Sequence, residues 1–112
     1  MSDEALFDLL DTLARRYALA AVWELRGAPH AFGALAGALG APASVLTQRL
    51  RELREAGLVE VDEAGDYRLT AHGRRLQGHL EPLASYAEQW AALSPRQRTP
   101  RGSADRGRGE SA

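Results

Sequence analysis

One short segment of this sequence places glutamine, arginine and hydroxyl side chains at the spacing of a single helix face. Leucines recur in residues 43–56 at three- and four-residue steps, which is typical of a buried helical stripe; they are Leu46, Leu50 and Leu53. A helix turns by about 100° per residue, so the side chains opposite that stripe are Ser44, Gln48, Arg51 and Glu55. One flank of the same helix holds Thr47 and Arg54, and the other holds Arg49.

These side chain types suit the edges of base pairs and the phosphates of a duplex. Glutamine can form two hydrogen bonds with adenine, and arginine can form two with guanine, both in the major groove. Ser44 and Thr47 lie near the helix N-terminus, where the helix dipole favours phosphate. An ordinary solvated helix face has a similar composition. The DNA interpretation therefore depends on the elements that precede and follow residues 43–56.

The preceding elements are a short helix and a tight turn. Apolar side chains of residues 32–39 fall on one side of a predicted helix, Gly40 is suited to end it, and Pro42 cannot continue it. Gly57 is expected to end the helix 43–56 in the same way. Two helices joined by so short a turn predict a helix-turn-helix.

The following elements predict a β-hairpin and a last helix. Residues 58–61 alternate with a period of two, residues 67–70 form a second short strand, and the turn-rich link 62–66 has hairpin length. Thr70 can cap the helix that follows. A hairpin directly after the second helix defines the winged variant, so we expect a mainly α fold with a small β-hairpin wing.

Predicted helices at both ends supply apolar stripes. Residues 3–26 form one helix or two, and in residues 71–93 we expect Pro82 to kink the helix or split it. These stripes either close the core of one chain or join two chains. Because a small chain buries only a modest core, we expect a homodimer through these terminal helices. The expected interface residues are Leu6, Leu10, Leu13, Leu76, Leu80, Leu83 and Trp90.

Charge is distributed unevenly along the 112 residues, whose formal net charge is −1. Residues 1–93 hold nine arginines against thirteen acids, so a DNA interface must rest on local patches. Four acids surround the hairpin tip, and its one basic residue is Arg68. Either the wing leans away from the DNA backbone with Arg68 as its sole contact, on a flanking phosphate, or the module does not bind DNA through its wing. Residues 94–112 lack apolar periodicity and predict a disordered, Arg-rich tail that either attracts phosphate or aids solubility.

Several classes of function have no support in the residue types. The chain has no cysteine, so thiolate and disulfide chemistry are excluded. Its histidines, His30, His72 and His79, lie at no metal-ligand spacing, and no nucleophile, phosphate loop or cofactor motif is present. No apolar run could cross a membrane, and the acidic start lacks the basic residues of a signal peptide. We therefore expect a soluble cytoplasmic protein that is not an enzyme and has no cofactor or metal.

The sequence resembles the HxlR-type winged-helix regulators over roughly residues 5–92. The stretches that support the resemblance are 16–19, 23–29, 32–35, 44–53 (SVLTQRLREL), 57–59 and 67–70, with Gly73, Leu83 and Trp90. The resemblance implies a bacterial transcription regulator of the broader MarR-like kind that dimerises through its terminal helices. It also implies that the helix with Ser44, Thr47, Gln48, Arg49 and Arg51 reads DNA. Ala31 stands where the family usually has a basic residue.

The expected function is sequence-specific binding of double-stranded DNA by a homodimeric repressor. Its operator would be an inverted repeat with half-sites about 34–36 Å apart. The DNA-contacting residues would be Ser44, Thr47, Gln48, Arg49, Arg51, Arg54 and Arg68. The alternative is a winged-helix module that binds protein partners and offers its acidic wing to a basic partner. A small-molecule effector is left open, with Tyr17, Trp23, Tyr86 and Trp90 as candidate lining residues. The expected domain is 1–93, followed by the tail 94–112.

Overall fold

The computed structural model describes residues 3–93, which form helices and one antiparallel hairpin. The elements in chain order are α1 (Asp3–Ala14), α2 (Ala18–Glu24), α3 (Phe32–Leu39), α4 (Ala43–Glu55), β1 (Val59–Val61), β2 (Tyr67–Leu69) and α5 (Ala71–Ala91). This order confirms the predicted mainly α fold with a winged helix-turn-helix. The predicted tail, residues 94–112, lies outside the described residues.

The first apolar stripe belongs to two helices rather than one. Helix α1 ends at Ala14, and α2 begins at Ala18 after a bend in which Tyr17 adopts a left-handed conformation with φ 71°. That conformation costs a non-glycine residue about 1–2 kcal/mol. Contacts across the fold hold the bend, including the Tyr17 hydroxyl, which donates to the carbonyl of Gly40 at 3.5 Å.

Two glycines end the helices of the helix-turn-helix, as predicted. Gly40 follows α3 with φ 63°, and the N–H of Ala41 donates to the carbonyl of Ala36 at 3.0 Å. Gly57 follows α4 with φ 78°, and its neighbour Leu58 donates to Leu53 in the same pattern. Both are left-handed caps in which the backbone satisfies the last carbonyls of the helix.

The hairpin is short and its register is fixed by three residue pairs. Val59 faces Leu69, Glu60 faces Arg68, and Val61 faces Tyr67. At the turn, Asp62 Oδ1 accepts hydrogen bonds from the backbone N–H groups of residues 64 and 66, both at 2.9 Å. His30 adds an isolated bridge to Tyr67 that the sequence did not indicate.

Thr70 joins the hairpin to α5 and caps it, as predicted. Its hydroxyl donates to the carbonyl of Gly57 at 2.6 Å and accepts from the N–H of Gly73 at 3.0 Å. Helix α5 continues without interruption past Pro82, so the split into two helices, one of the two predicted outcomes, does not occur, and the kink stays a prediction. A proline removes one backbone hydrogen bond, and the remaining turns of the helix persist here.

The core of the helix-turn-helix is formed mainly by the leucines of α3 and α4. The largest fully buried side chains are Leu35, Leu46, Leu50, Leu53 and Val22. In the part of the chain that the structure describes, one compact unit extends to Gly78, and a second begins at His79, within α5. Within residues 3–93, no helix is long and apolar enough to cross a membrane. The predicted domain end at residue 93 stays a prediction.

Candidate nucleic-acid interface

The outer face of α4 is open to solvent, as its sequence pattern predicts. Its three leucines are buried, which fixes the rotation of the helix about its axis. The predicted contact residues of α4 that are exposed are Ser44, Thr47, Gln48, Arg51 and Arg54. A helix that buries one stripe and exposes hydroxyl, amide and guanidinium groups on the other has the form that enters a major groove.

Gln48 and Arg51 do not project independently, because hydrogen bonds order them. The Nη1 of Arg51 donates to Oε1 of Gln48 at 2.9 Å. The Nε2 of Gln48 donates in turn to Oε2 of Glu52, also at 2.9 Å. Such pairs at helical spacing stabilise an exposed helix by only a few tenths of a kcal/mol each. Their main effect here is therefore to orient the two side chains.

Arg49 lies on the opposite flank and binds other parts of the fold. Its Nε donates to the carbonyl of Arg16 at 3.1 Å, and its Nη1 donates to Oε1 of Glu52 at 2.9 Å. Only 17% of the side chain is exposed. Because its Nε donates to the bend between α1 and α2 and its Nη1 to Glu52 on α4, Arg49 connects α4 to that bend. The DNA contact predicted for Arg49 stays a prediction, and these two hydrogen bonds hold the side chain against the fold rather than on the exposed face.

Glu52 is a residue of this face that the sequence patterns did not single out. Its carboxylate accepts from Gln48 and from Arg49, and it lies 3.7 Å from Nε of Arg15. The hydrogen bond from Gln48 and the neighbouring guanidinium groups hold the pKa of Glu52 below its ordinary value of 4.5. The sequence signal for these contacts was spacing, because Glu52 lies three residues after Arg49 and four after Gln48, which are the separations at which helix side chains meet.

A groove of about 560 Å³ separates α4 from the hairpin. Arg51 and Arg54 line its helix side together with Glu55, and Glu60 and Val61 line its hairpin side. The groove thus has arginines on α4 and a carboxylate on the wing.

The wing arginine already has a partner. Nε of Arg68 lies 2.8 Å from Oε2 of Glu60, and about half of each side chain is exposed. Exposed ion pairs of this kind contribute at most about 1 kcal/mol, so a phosphate could displace Glu60. Arg68 also lines a second groove of about 230 Å³, together with Arg26 and Arg74. This groove brings three arginines to the base of the wing.

The residues predicted to join two chains differ widely in exposure. On α1, Leu6 and Leu10 are about half exposed, whereas Leu13 is buried within the chain. Phe7, which the sequence did not single out, is 58% exposed. Helix α1 therefore presents three neighbouring apolar side chains to solvent, and Leu13 has little surface left for a partner.

The predicted interface residues of α5 divide in the same way. Leu83 is 54% exposed and Trp90 is 42% exposed, and Tyr86 adds a further exposed ring. Leu80 is buried, and Leu76 is half-buried. An interface on α5 would thus depend on its last turns.

Two of the aromatic residues suggested for an effector pocket stack with arginines. The guanidinium of Arg16 lies 4.9 Å from the ring centre of Tyr17, and that of Arg26 lies 4.4 Å from the ring centre of Trp23. These are cation–π distances. Among residues 3–93, no group of three or more histidine, aspartate or glutamate side chains is placed to hold a metal ion.

Comparison with known proteins gives matches to winged-helix regulators. The sequence profile described as HxlR-like helix-turn-helix matches residues 12–95. None of the curated protein sequences compared with the chain matches it significantly. The quinone-bound structure of YodB from B. subtilis is similar, with a TM-score of 0.71 and 23% identity, over 80% of this chain and 99% of that chain.

Two further solved structures agree in fold. A transcriptional regulator described as of the MarR family, from Enterococcus faecalis V583, has 31% identity and a TM-score of 0.70, over 81% of this chain and 90% of that chain. The homodimeric winged helix-turn-helix DNA-binding domain Mb0332 from Mycobacterium bovis has 25% identity and a TM-score of 0.62, over 84% of this chain and 96% of that chain. The profile match spans most of the chain and includes α2 to α5, which contain the exposed face of α4. This chain belongs to the HxlR-like helix-turn-helix family of transcriptional regulators.

Proposed function

We propose that the protein is a homodimeric, sequence-specific repressor that binds an inverted-repeat operator through α4. Gln48 and Arg51 read base edges, because they are the amide and guanidinium at the centre of the exposed face. The residues that hold the backbone or base edges beside them are Ser44, Thr47 and Arg54, with Arg68 on a flanking phosphate. The main support is the exposed face of α4, on which a glutamine and an arginine are held side by side.

The proposed dimer rests on apolar side chains that the single chain leaves exposed. Leu6, Phe7 and Leu10 form such a group on α1, and Leu83 and Tyr86 form another on α5. Large apolar groups at neighbouring helical positions are typical of an interface. The similar domain Mb0332 is itself described as homodimeric. A two-fold dimer presents two copies of α4, which is why the operator would be an inverted repeat.

Repression follows from occupancy, since a dimer across a promoter excludes other proteins from the same DNA. The proposal requires access to the chromosome, which places the protein in a bacterial cytoplasm. YodB is described in a quinone-bound form, and a small-molecule effector of this chain stays a prediction.

Selection of bound sequences from random duplex DNA tests the proposal. We expect an inverted repeat. Arg51→Ala should then weaken binding by roughly 1–3 kcal/mol and relax preference at one base position, whereas Arg54→Ala should weaken binding of all duplexes and reduce the salt slope by about one. No binding at low salt would contradict DNA recognition and favour the alternative, a module that binds a basic protein through the acidic wing.

Sedimentation of variants tests the dimer separately. Leu83→Asp and Leu10→Asp each place a charge among exposed apolar side chains, so both should convert a dimer to a monomer. Val61→Asp is the matched control, because Val61 is an exposed apolar residue of β1 rather than of a terminal helix. A dimer that persists in both variants would contradict an interface through the terminal helices.

A further inference from the structure

A continuous chain of hydrogen bonds connects the base-reading side chains to the bend between α1 and α2. Arg51 donates to Gln48, and Gln48 donates to Glu52. Arg49 donates both to Glu52 and to the carbonyl of Arg16, which lies in the bend. Glu52 is the only acid in this chain of contacts, and its carboxylate links Arg49 to Gln48.

We propose that Glu52 is a positioning residue that, together with Arg51, holds Gln48 in the orientation in which it recognises its base. The inference rests on the proposed function, in which Gln48 reads DNA. A glutamine amide can be turned so that its oxygen and nitrogen exchange places, which would reverse the pattern that it offers to a base. A carboxylate can only accept hydrogen bonds. Glu52 therefore requires the nitrogen of Gln48 to face it, and Arg51, which can only donate, requires the oxygen on its own side, so the two neighbours together fix the orientation of the amide.

The donor and the acceptor that remain available on Gln48 match the acceptor and the donor of adenine. A glutamine amide has two N–H donors and two acceptor lone pairs. One donor is used by Glu52 and one lone pair by Arg51, so one of each remains. Adenine presents one acceptor and one donor in the major groove. The network thus leaves Gln48 able to bind adenine with two hydrogen bonds while it stays bound to both neighbours.

The position of Glu52 is itself fixed by contacts with other elements. Only 21% of its side chain is exposed, and it lies between Arg49 and Arg15. Arg49 in turn binds the carbonyl of Arg16, 33 residues earlier in the chain. The orientation of Gln48 therefore depends on the bend at the end of α1.

Glu52 is expected to affect DNA binding in two ways: it lowers the affinity for every duplex, and it raises discrimination at one base pair. This difference makes the inference testable. A carboxylate on a face that approaches phosphates weakens binding to every duplex, because like charges repel. If that repulsion were its only effect, removal of Glu52 would tighten binding to all sequences equally. If Glu52 orients Gln48, removal also lowers discrimination at one base pair. Affinity and specificity must therefore be measured together.

The test compares Glu52→Ala with Glu55→Ala, an exposed acid of the same helix. Dissociation constants are measured for the selected operator, for that operator with the base pair opposite Gln48 exchanged, and for an unrelated duplex. For Glu52→Ala we expect unchanged or tighter binding to the unrelated duplex and a loss of roughly tenfold in discrimination at the exchanged pair. Glu55→Ala should leave discrimination unchanged. Thermal unfolding checks the fold, and Glu52→Gln, which keeps an acceptor oxygen, should restore part of the discrimination.

Gln48→Ala, alone and combined with Glu52→Ala, separates the inference from the proposed function. If Gln48→Ala alone leaves discrimination unchanged, then Gln48 reads no base, and both the assignment and the inference fail. If Gln48→Ala lowers discrimination but Glu52→Ala does not, the role of Glu52 alone is refuted. We expect both single variants to lose discrimination at the same base pair and the double variant to lose little more, since they act on one contact.

Discussion

Replacement of Thr70 by valine tests whether one hydroxyl joins the hairpin to α5. Valine has nearly the shape of threonine but neither donates nor accepts, so both hydrogen bonds of the hydroxyl are lost. Loss of the helix cap costs about 1 kcal/mol, and loss of the bond to the carbonyl of Gly57 costs roughly 0.5–1.5 kcal/mol more. The free energy of unfolding should therefore fall by about 1.5–2.5 kcal/mol.

Urea unfolding, followed by circular dichroism at one fixed protein concentration, measures this change. A fixed concentration is needed because association of chains shifts the apparent stability. For a domain of this size, the melting temperature should fall by roughly 6–20 °C. Thr70→Ser is the matched control, since serine keeps the oxygen and should stay close to the parent. If the valine and serine variants unfold within 0.5 kcal/mol of each other (about the spread of neutral surface changes), the assignment of these two bonds is refuted.

Two further predictions concern a close backbone approach and a carboxylate. Gly73→Ala should lower the free energy of unfolding by roughly 1–3 kcal/mol, because the added Cβ would clash with the backbone carbonyl of Leu58. Gly78→Ala is the control: no atom lies near its added Cβ, so it should stabilise α5 slightly. Equal effects of the two variants in urea unfolding would contradict this prediction. For Glu52, the pKa is lowered in the folded state, so its contribution to stability is present above the unfolded pKa and is lost as the pH falls through the folded pKa. The stability difference between the parent and Glu52→Gln should therefore be constant near neutral pH and shrink below about pH 4.5; a difference that grows on acidification would contradict this assignment.

The features that the sequence predicted correctly depend on neighbouring residues. The ends of α3 and α4 follow from Gly40 and Gly57, because glycine readily adopts the left-handed conformation that ends a helix. The cap at Thr70 follows from a hydroxyl placed directly before a helix. The burial of the α4 leucines follows from their period, and that burial in turn sets which side chains face outward.

The features that the sequence did not predict depend on residues that are distant in the chain. The end of α1 has neither a glycine nor a proline as a signal, and Tyr17 adopts its left-handed conformation within a bend held by tertiary contacts. The pair of Arg68 with Glu60 depends on the register of the hairpin.

The sequence by itself determined the helix-turn-helix, the hairpin and the outward face of α4, because helix period, caps and turns are local properties of the chain. The tertiary structure decided which of the polar side chains on α4 bind other parts of the fold. Arg49 differs little in type from Arg51 and Arg54, yet it binds the carbonyl of Arg16 and supports Glu52. Hydrogen bonds of this kind form only where folding brings distant backbone and side chain groups within about 3 Å.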